Sequence, residues 1–127
     1  MIAMEPPFNP SQVTAAWLTW ALRRCKVINT ASVRSLTVEV VGGEKGITGQ
    51  LVRLRIRYDR QEPDAPRSLI AKFSSPLPEV RAALHATGYY ERETRFYEQL
   101  AASTPLPTPR CYFGRVDQNS GSSILLL

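Results

Sequence analysis

The strongest pattern in this sequence is a strict alternation of apolar and charged side chains between residues 50 and 58. A period of two places the apolar side chains on one face of a β-strand and the charged ones on the other. The apolar set is Val52, Leu54, Ile56 and Tyr58, and the charged set is Arg53, Arg55 and Arg57. The chain is therefore expected to contain a sheet with one face buried against another layer.

Shorter patterns predict the rest of the fold. Further strands are expected at 33–41, 68–74, 110–117 and 122–127, and helices after Thr14, at 76–87 and at 89–102. The first two strands are joined by a short turn and predict a hairpin. The element order indicates an α+β fold: a five-stranded antiparallel sheet with a helix between strands 3 and 4 and an extra N-terminal helix.

The N-terminal segment, residues 1–32, is expected to carry an amphipathic helix. Ser11 or Thr14 can cap it. Its apolar positions include Val13, Trp17, Leu18, Ala21 and Leu22. Basic residues are expected in its last turn, where cations suit the helix dipole; they are Arg23, Arg24 and Lys26.

Residues 42–49 form a glycine-dense turn, in which Gly43, Gly46 and Gly49 recur at a spacing of three. Glycine is common at hairpin tips, so an ordinary turn is one interpretation. The other is a phosphate-binding loop, because glycine lets backbone N–H groups approach a ligand closely. The sequence alone leaves both open.

The strand at 68–74 is apolar apart from its ends and one lysine. Alternation places Ile70 and Lys72 on one face and the odd-numbered apolar residues on the other. Lys72 would then either face solvent from a half-buried sheet or reach the phosphates of ATP, with Ile70 near the adenine.

Glu93 lies within the predicted apolar stripe of helix 89–102. That stripe consists of Tyr89, Phe96, Tyr97 and Leu100. A carboxylate that faces a core is costly unless it is paired. An ion pair with Lys72 would explain both residues, whereas a Glu93 at the edge of the stripe would reach solvent. Glu91 is expected to face outward and pair with Arg95, four residues on.

The formal charge of +5 indicates an anionic partner. The arginines of strand 50–58 form a row that could bind nucleic acid or simply be solvated. Paired exposed aromatic side chains, which RNA-binding sheets use, are not evident, so no nucleic acid is expected.

The sequence also predicts a cytoplasmic protein. The N-terminus lacks the basic-then-apolar order of a signal peptide, and no membrane span is predicted. Cys25 and Cys111 are therefore expected to be reduced.

The ordered set of motifs resembles the N-terminal lobe of a kinase-like phosphotransferase, as found in the aminoglycoside phosphotransferase and ecdysteroid-kinase-like superfamily. The motifs are TAAWLTWALR, a glycine turn followed by GQLVRLRIRY, SLIAKF, YYERETRFYEQLA, and LPTPRCYFG before a leucine-rich strand. The resemblance implies that residues 33–127 are such a lobe, truncated before the hinge and the C-terminal lobe.

The resemblance also implies roles for particular residues. The turn with Gly43, Gly46 and Gly49 would cover the ATP phosphates. Lys72 would contact the α- and β-phosphates, and Glu93 would hold Lys72 in place. Leu125 to Leu127 would lead toward the hinge that binds adenine.

In intact form such an enzyme would use ATP and Mg²⁺ to transfer the γ-phosphate to a small-molecule hydroxyl. The catalytic aspartates belong to the missing lobe, so the fragment itself is expected to be inactive. Leu125 to Leu127 are expected to be exposed and to promote self-association. The alternatives are a small basic nucleic-acid-binding module and a non-catalytic interaction module.

Overall fold

The computed structural model describes residues 4–41 and 49–127. Its helices and strands follow the predicted order closely. They are α1 (Ala15–Arg24), β1 (Val33–Val40), β2 (Gly49–Tyr58), β3 (Ser68–Ser74), α2 (Pro78–Ala86), α3 (Tyr89–Arg95), β4 (Phe113–Val116) and β5 (Ser123–Leu126). A π-helical turn at Phe96–Leu100 and a short 3₁₀ turn at Ala101–Ser103 continue α3.

The five strands form one antiparallel sheet in the order β1-β2-β3-β5-β4. The α+β class, the five-stranded antiparallel sheet, the helix between the third and fourth strands and the N-terminal helix are confirmed. The last strand in sequence therefore lies inside the sheet, between β3 and β4. Main-chain hydrogen bonds between Ile70 and Leu127 extend the β3–β5 pairing by one further residue pair.

Helix α1 covers one face of the sheet. Thr14 is its N-cap, and the Thr14 hydroxyl accepts a hydrogen bond from the Trp17 amide at 3.1 Å. Ser11 instead lies within a separate 3₁₀ turn, Pro10–Gln12, and the side chain of Asn9 caps that turn by accepting a hydrogen bond from the Ser11 amide. Lys26 lies beyond the helix in the left-handed region, at φ 63°, so its predicted place in the last turn is wrong.

The main core lies between α1 and this sheet face. The buried apolar residues include Trp17, Leu18, Ala21 and Leu22 of α1, Val52, Leu54 and Ile56 of β2, Leu69, Ala71 and Phe73 of β3, and Ile124 and Leu126 of β5. The Trp17 and Phe113 rings meet edge to face at 5.2 Å, which fixes α1 over β4. Residues 13–31 thus share one core with the sheet.

Two strands differ in how far their apolar side chains are covered, and one expectation about exposure is wrong. Val38 and Val40 share the core face of β1, yet they are 44% and 79% exposed. Helix α1 packs near the start of β1, where Val33 is buried, and does not extend over the end of the strand. Conversely, Leu125 and Leu126 are buried, because β5 lies inside the sheet with Leu126 in the core below α1 and Leu125 beside the contact of Thr94 with Gly114, and the expectation that they are exposed is wrong. The exposed strand on which the expected self-association rested is therefore not observed.

The helical region from 89 to 102 differs from its prediction. The buried residues are Tyr90, Thr94 and Ala101, while Leu100 of the predicted stripe is 58% exposed. The π-helical turn inserts an additional residue per turn, which shifts the phase of every side chain after Arg95. A single 3.6-residue period therefore does not describe the whole segment.

Cys25 and Cys111 are free thiols, both partly buried. Within the described ranges, no helix has both the length and the apolar character needed to cross a membrane.

Candidate functional site

Lys72 projects from the middle of β3 on the face opposite to α1. Its register partners are Leu51 on β2 and Leu125 on β5. The neighbouring Ala71 and Phe73 point into the core and are fully buried, so alternation fixes the direction of Lys72. The lysine thus lies over the second sheet face, which α3 covers only in part.

Glu93 reaches Lys72 from α3. The Nζ of Lys72 and Oε1 of Glu93 lie 2.5 Å apart, and the two side chains are 26% and 23% exposed. The predicted pair is present, and the alternative in which each residue faces solvent separately is not observed. At this level of burial, the attraction is less screened than at the surface, and each charge depends on its partner.

Tyr90 and Thr94 hold α3 against the sheet, and the sequence patterns did not identify either of them. The Tyr90 hydroxyl accepts a hydrogen bond from the buried amide of Ser75, just after β3, at 3.0 Å. Thr94 lies over Gly114 of β4, where a Cβ on the glycine would come within 3.0 Å of the Thr94 methyl group. The sequence did contain signals for this contact: a Tyr and a Thr four residues apart, which lie on one helix face, and a glycine in a strand.

Beside the ion pair, the same sheet face is not covered by any helix of the described ranges; its apolar surface around Leu51 and Ile70 is called the floor of the site. Ile70 lies two residues from Lys72 on the same face and is partly buried. It is flanked by Arg53 of β2 and, through paired main-chain hydrogen bonds, by Leu127. Leu51, next to Lys72, is 40% exposed. The face therefore combines a cation with partly exposed apolar side chains.

Gly49 is the first residue of β2 and lies opposite Ser74 of β3. A Cβ at Gly49 would lie 2.2 Å from the carbonyl oxygen of Phe73, so only glycine fits there. Glycine is thus required at this position because β2 and β3 pack closely at the end of the sheet next to Lys72. Gly43 and Gly46 lie outside the described residues, and their expected contact with phosphates stays a prediction.

The arginine row of β2 is partly neutralised by Glu39 of β1. The Arg55 Nε donates to Glu39 Oε2 at 2.7 Å, and the Arg53 guanidinium lies 3.9 Å from Oε1. The hydrogen bond from Arg55 lowers the pKa of Glu39 below its usual range, so Glu39 is a carboxylate at neutral pH. A nucleic acid would have to compete with this ion pair.

Two further observations concern possible metal ligands and a concavity elsewhere on the protein. Across residues 4–41 and 49–127, no cluster of three or more His, Cys, Asp or Glu side chains could hold a metal ion. A concavity in the same ranges lies on the other sheet face and is lined by residues such as Ser11, Leu36 and Val38. It is open and has no charged lining residue, so the chemistry is better placed at Lys72.

No protein-family model, no curated protein and no solved structure matches this chain. The functional assignment therefore depends on the geometry around Lys72 and Glu93.

Proposed function

We propose that the face around Lys72 is the nucleotide-binding surface of a kinase-like small lobe. The observation that carries this proposal is the ion pair between Lys72 on β3 and Glu93 on α3. In protein kinases, a lysine on the third strand contacts nucleotide phosphates and is held by a glutamate on the following long helix. The same two residue types occupy the third strand and the helical segment after it here.

The surroundings of the pair support a phosphate ligand. The floor next to Lys72 is open on the β2 side, where Leu51 is exposed, whereas α3 covers the β4–β5 side. Glu93 uses one lysine proton, and an ammonium carries three, so Lys72 can still donate to an incoming oxygen. Gly49 lies at the end of β2 next to this position, after the glycine-containing segment 42–48.

In an intact enzyme, this lobe would bind ATP, as the resemblance implies, and position its γ-phosphate for transfer to a small-molecule hydroxyl. Mg²⁺ would be held by the nucleotide phosphates and, as the resemblance implies, by an aspartate of the C-terminal lobe. Lys72 would neutralise charge on the α- and β-phosphates, and Glu93 would fix its direction.

Equilibrium binding of ATP tests this proposal. Titration of the isotope-labelled chain, followed by NMR, detects the weak affinity expected of a surface with one wall. Lys72→Met is expected to weaken binding by about tenfold, because it removes a charge-assisted contact with phosphate.

The matched control is Lys26→Met, which removes the same charge from an exposed site next to α1. It is expected to change the affinity little, since general attraction to a basic protein is shared by both variants. Equal losses in the two variants, or no binding of any purine nucleoside triphosphate to the wild-type chain, would contradict the proposal.

A further inference from the structure

Arg53 lies beside the expected position of the nucleotide base, and its role is separate from that of Lys72. It is the direct register partner of Ile70, and paired residues in adjacent strands project from the same face with Cβ atoms about 5 Å apart. Lys72 and Ile70 are two residues apart on that face. The guanidinium therefore lies next to the apolar floor, on the side of Lys72 away from Gly49.

The direction of a bound nucleotide follows from this layout, provided that the proposed function holds. Its phosphates would lie between Lys72 and the end of the sheet where Gly49 pairs with Ser74. Its base would then extend the other way along β3, over Ile70. Arg53 borders that position on the β2 side, and Leu127 borders it on the β5 side.

The Arg53 guanidinium has N–H donors that are available to a ligand. Its side chain is 39% exposed, and within the described ranges its guanidinium makes one polar contact, the 3.9 Å approach to Glu39. Glu39 is engaged more closely by Arg55, at 2.7 Å. Arginine carries five N–H donors and no acceptor, and its planar fork matches two neighbouring acceptors.

We propose that Arg53 determines base specificity and makes this surface favour guanine over adenine. Guanine presents two adjacent acceptors, O6 and N7, to a bidentate arginine. Adenine presents N7 beside an amino group, which places a donor against the arginine donors. This inference rests on the proposed function and replaces the adenine that the resemblance implies with a purine that carries a 6-oxo group.

A comparison of GTP, ITP and ATP tests this inference by competition NMR titrations on the same chain. GTP and ITP share O6 and N7, and all three nucleotides carry the same triphosphate, so general electrostatic attraction cancels in the ratio of their affinities. We expect GTP and ITP to bind about tenfold more tightly than ATP, the lower part of the range for one bidentate contact because Arg53 is partly solvated.

Three variants identify the responsible group. Arg53→Gln is expected to abolish the preference, because an amide offers one donor beside one acceptor and suits adenine at least as well as guanine. Arg53→Lys is expected to reduce the preference, because lysine keeps the charge and can still donate to O6 and N7 but lacks the planar fork. Arg57→Gln is the matched control, because Arg57 lies on the same face of β2 but four residues further along the strand from the partner of Ile70, and it should leave the ratio unchanged.

The outcomes separate the two proposals. Equal affinity for the three nucleotides, with binding still sensitive to Lys72→Met, would overturn the role of Arg53 and leave the proposed function standing. An unchanged ratio in Arg53→Gln would do the same. Binding of none of the nucleotides would overturn both.

Discussion

The ammonium of Lys72 and the carboxylate of Glu93 meet at 2.5 Å although the residues come from a strand and a helix that are 21 positions apart in the chain. Each is about three-quarters buried. The pair fixes α3 relative to the open sheet face, because the lysine can project only away from the core. Stability and ligand binding are both expected to depend on it.

The coupling between Lys72 and Glu93 is the first expectation. Lys72→Met and Glu93→Gln should each lower the free energy of unfolding by about 1–2 kcal/mol, between the values for surface and buried pairs. The double variant should lose less than the sum, because neither charge is then left alone. Urea unfolding of the four proteins measures the coupling.

The exposed pair of Glu91 and Arg95, at 2.8 Å on α3, is the control for that cycle. Its coupling should be about 0.5 kcal/mol or less, since both side chains are solvated. Additive losses at Lys72 and Glu93, no larger than those at the control pair, would show that the buried pair contributes nothing specific.

Close approach of α3 to β4 gives a second expectation. In Gly114→Ala, the new Cβ would lie 3.0 Å from the Thr94 methyl group and 3.2 Å from Leu125 Cδ2. Overpacking of this kind should cost about 1–3 kcal/mol of unfolding free energy. Thr94→Ser removes the methyl group and should restore part of the loss in the double variant. A fully stable Gly114→Ala protein would mean that α3 lies further from the sheet.

The hydrogen bonds of Glu62 lead us to expect that the free energy of unfolding depends on pH in the acid range. Its carboxylate accepts hydrogen bonds from the amides of Asn29, Ala31 and Thr30 at 2.5, 2.8 and 2.9 Å, so it ties the β2–β3 loop to the segment before β1. These bonds, first the one from Asn29 and then the one from Ala31, lower the pKa of Glu62. The carboxylate therefore stabilises the folded protein more than the unfolded chain.

The sign of the effect follows from that direction. The stabilisation is complete above the ordinary glutamate pKa of about 4.3 and is lost as the pH falls through the lower pKa of the folded state. Glu62→Gln should be less stable than the wild type at pH 7, and the gap should close in acid. Urea unfolding across this range measures it, with exposed Glu5→Gln as the control. A gap independent of pH would exclude the carboxylate as its cause.

Cys111 should be a slow nucleophile. Burial, followed by the nearby Glu98 carboxylate, raises the pKa of the Cys111 thiol to about 11. Because the thiolate is the reactive species, alkylation by iodoacetamide at pH 8 should be much slower in the folded protein than in urea. Peptide mass spectrometry gives the rate for Cys111 separately from that for Cys25. Equal rates in the folded and unfolded states would contradict the burial of this thiol.

Local patterns in the sequence were sufficient for the strands and their faces. The alternation in β2 and β3 predicted which side chains are buried, and it placed Lys72 on the face away from the core. Glu93 was found because a carboxylate in an apolar helical stretch requires a partner. These inferences succeeded because side-chain direction within one regular element depends on that element alone.

Properties that depend on distant elements were not predicted. The burial of Leu125 requires β5 to lie between β3 and β4, which is a non-local pairing choice. The exposure of Val40 reflects how far α1 extends over β1. The turn at Phe96–Leu100 changed the helical phase after Arg95, so Leu100 is exposed, while Tyr90 and Thr94 of the preceding α3 face inward.

The most direct test of the central claim is a map of backbone amide shifts as GTP or ATP, with magnesium, is added to the labelled chain. We expect the largest shifts at Leu51, Ile70 and Lys72, with little change in α1 and at Val38 on the opposite face. Lys72→Met should reduce these shifts. Shifts that centre on α1 or on the concavity beside Leu36, and that persist in Lys72→Met, would contradict a nucleotide site at the Lys72–Glu93 pair.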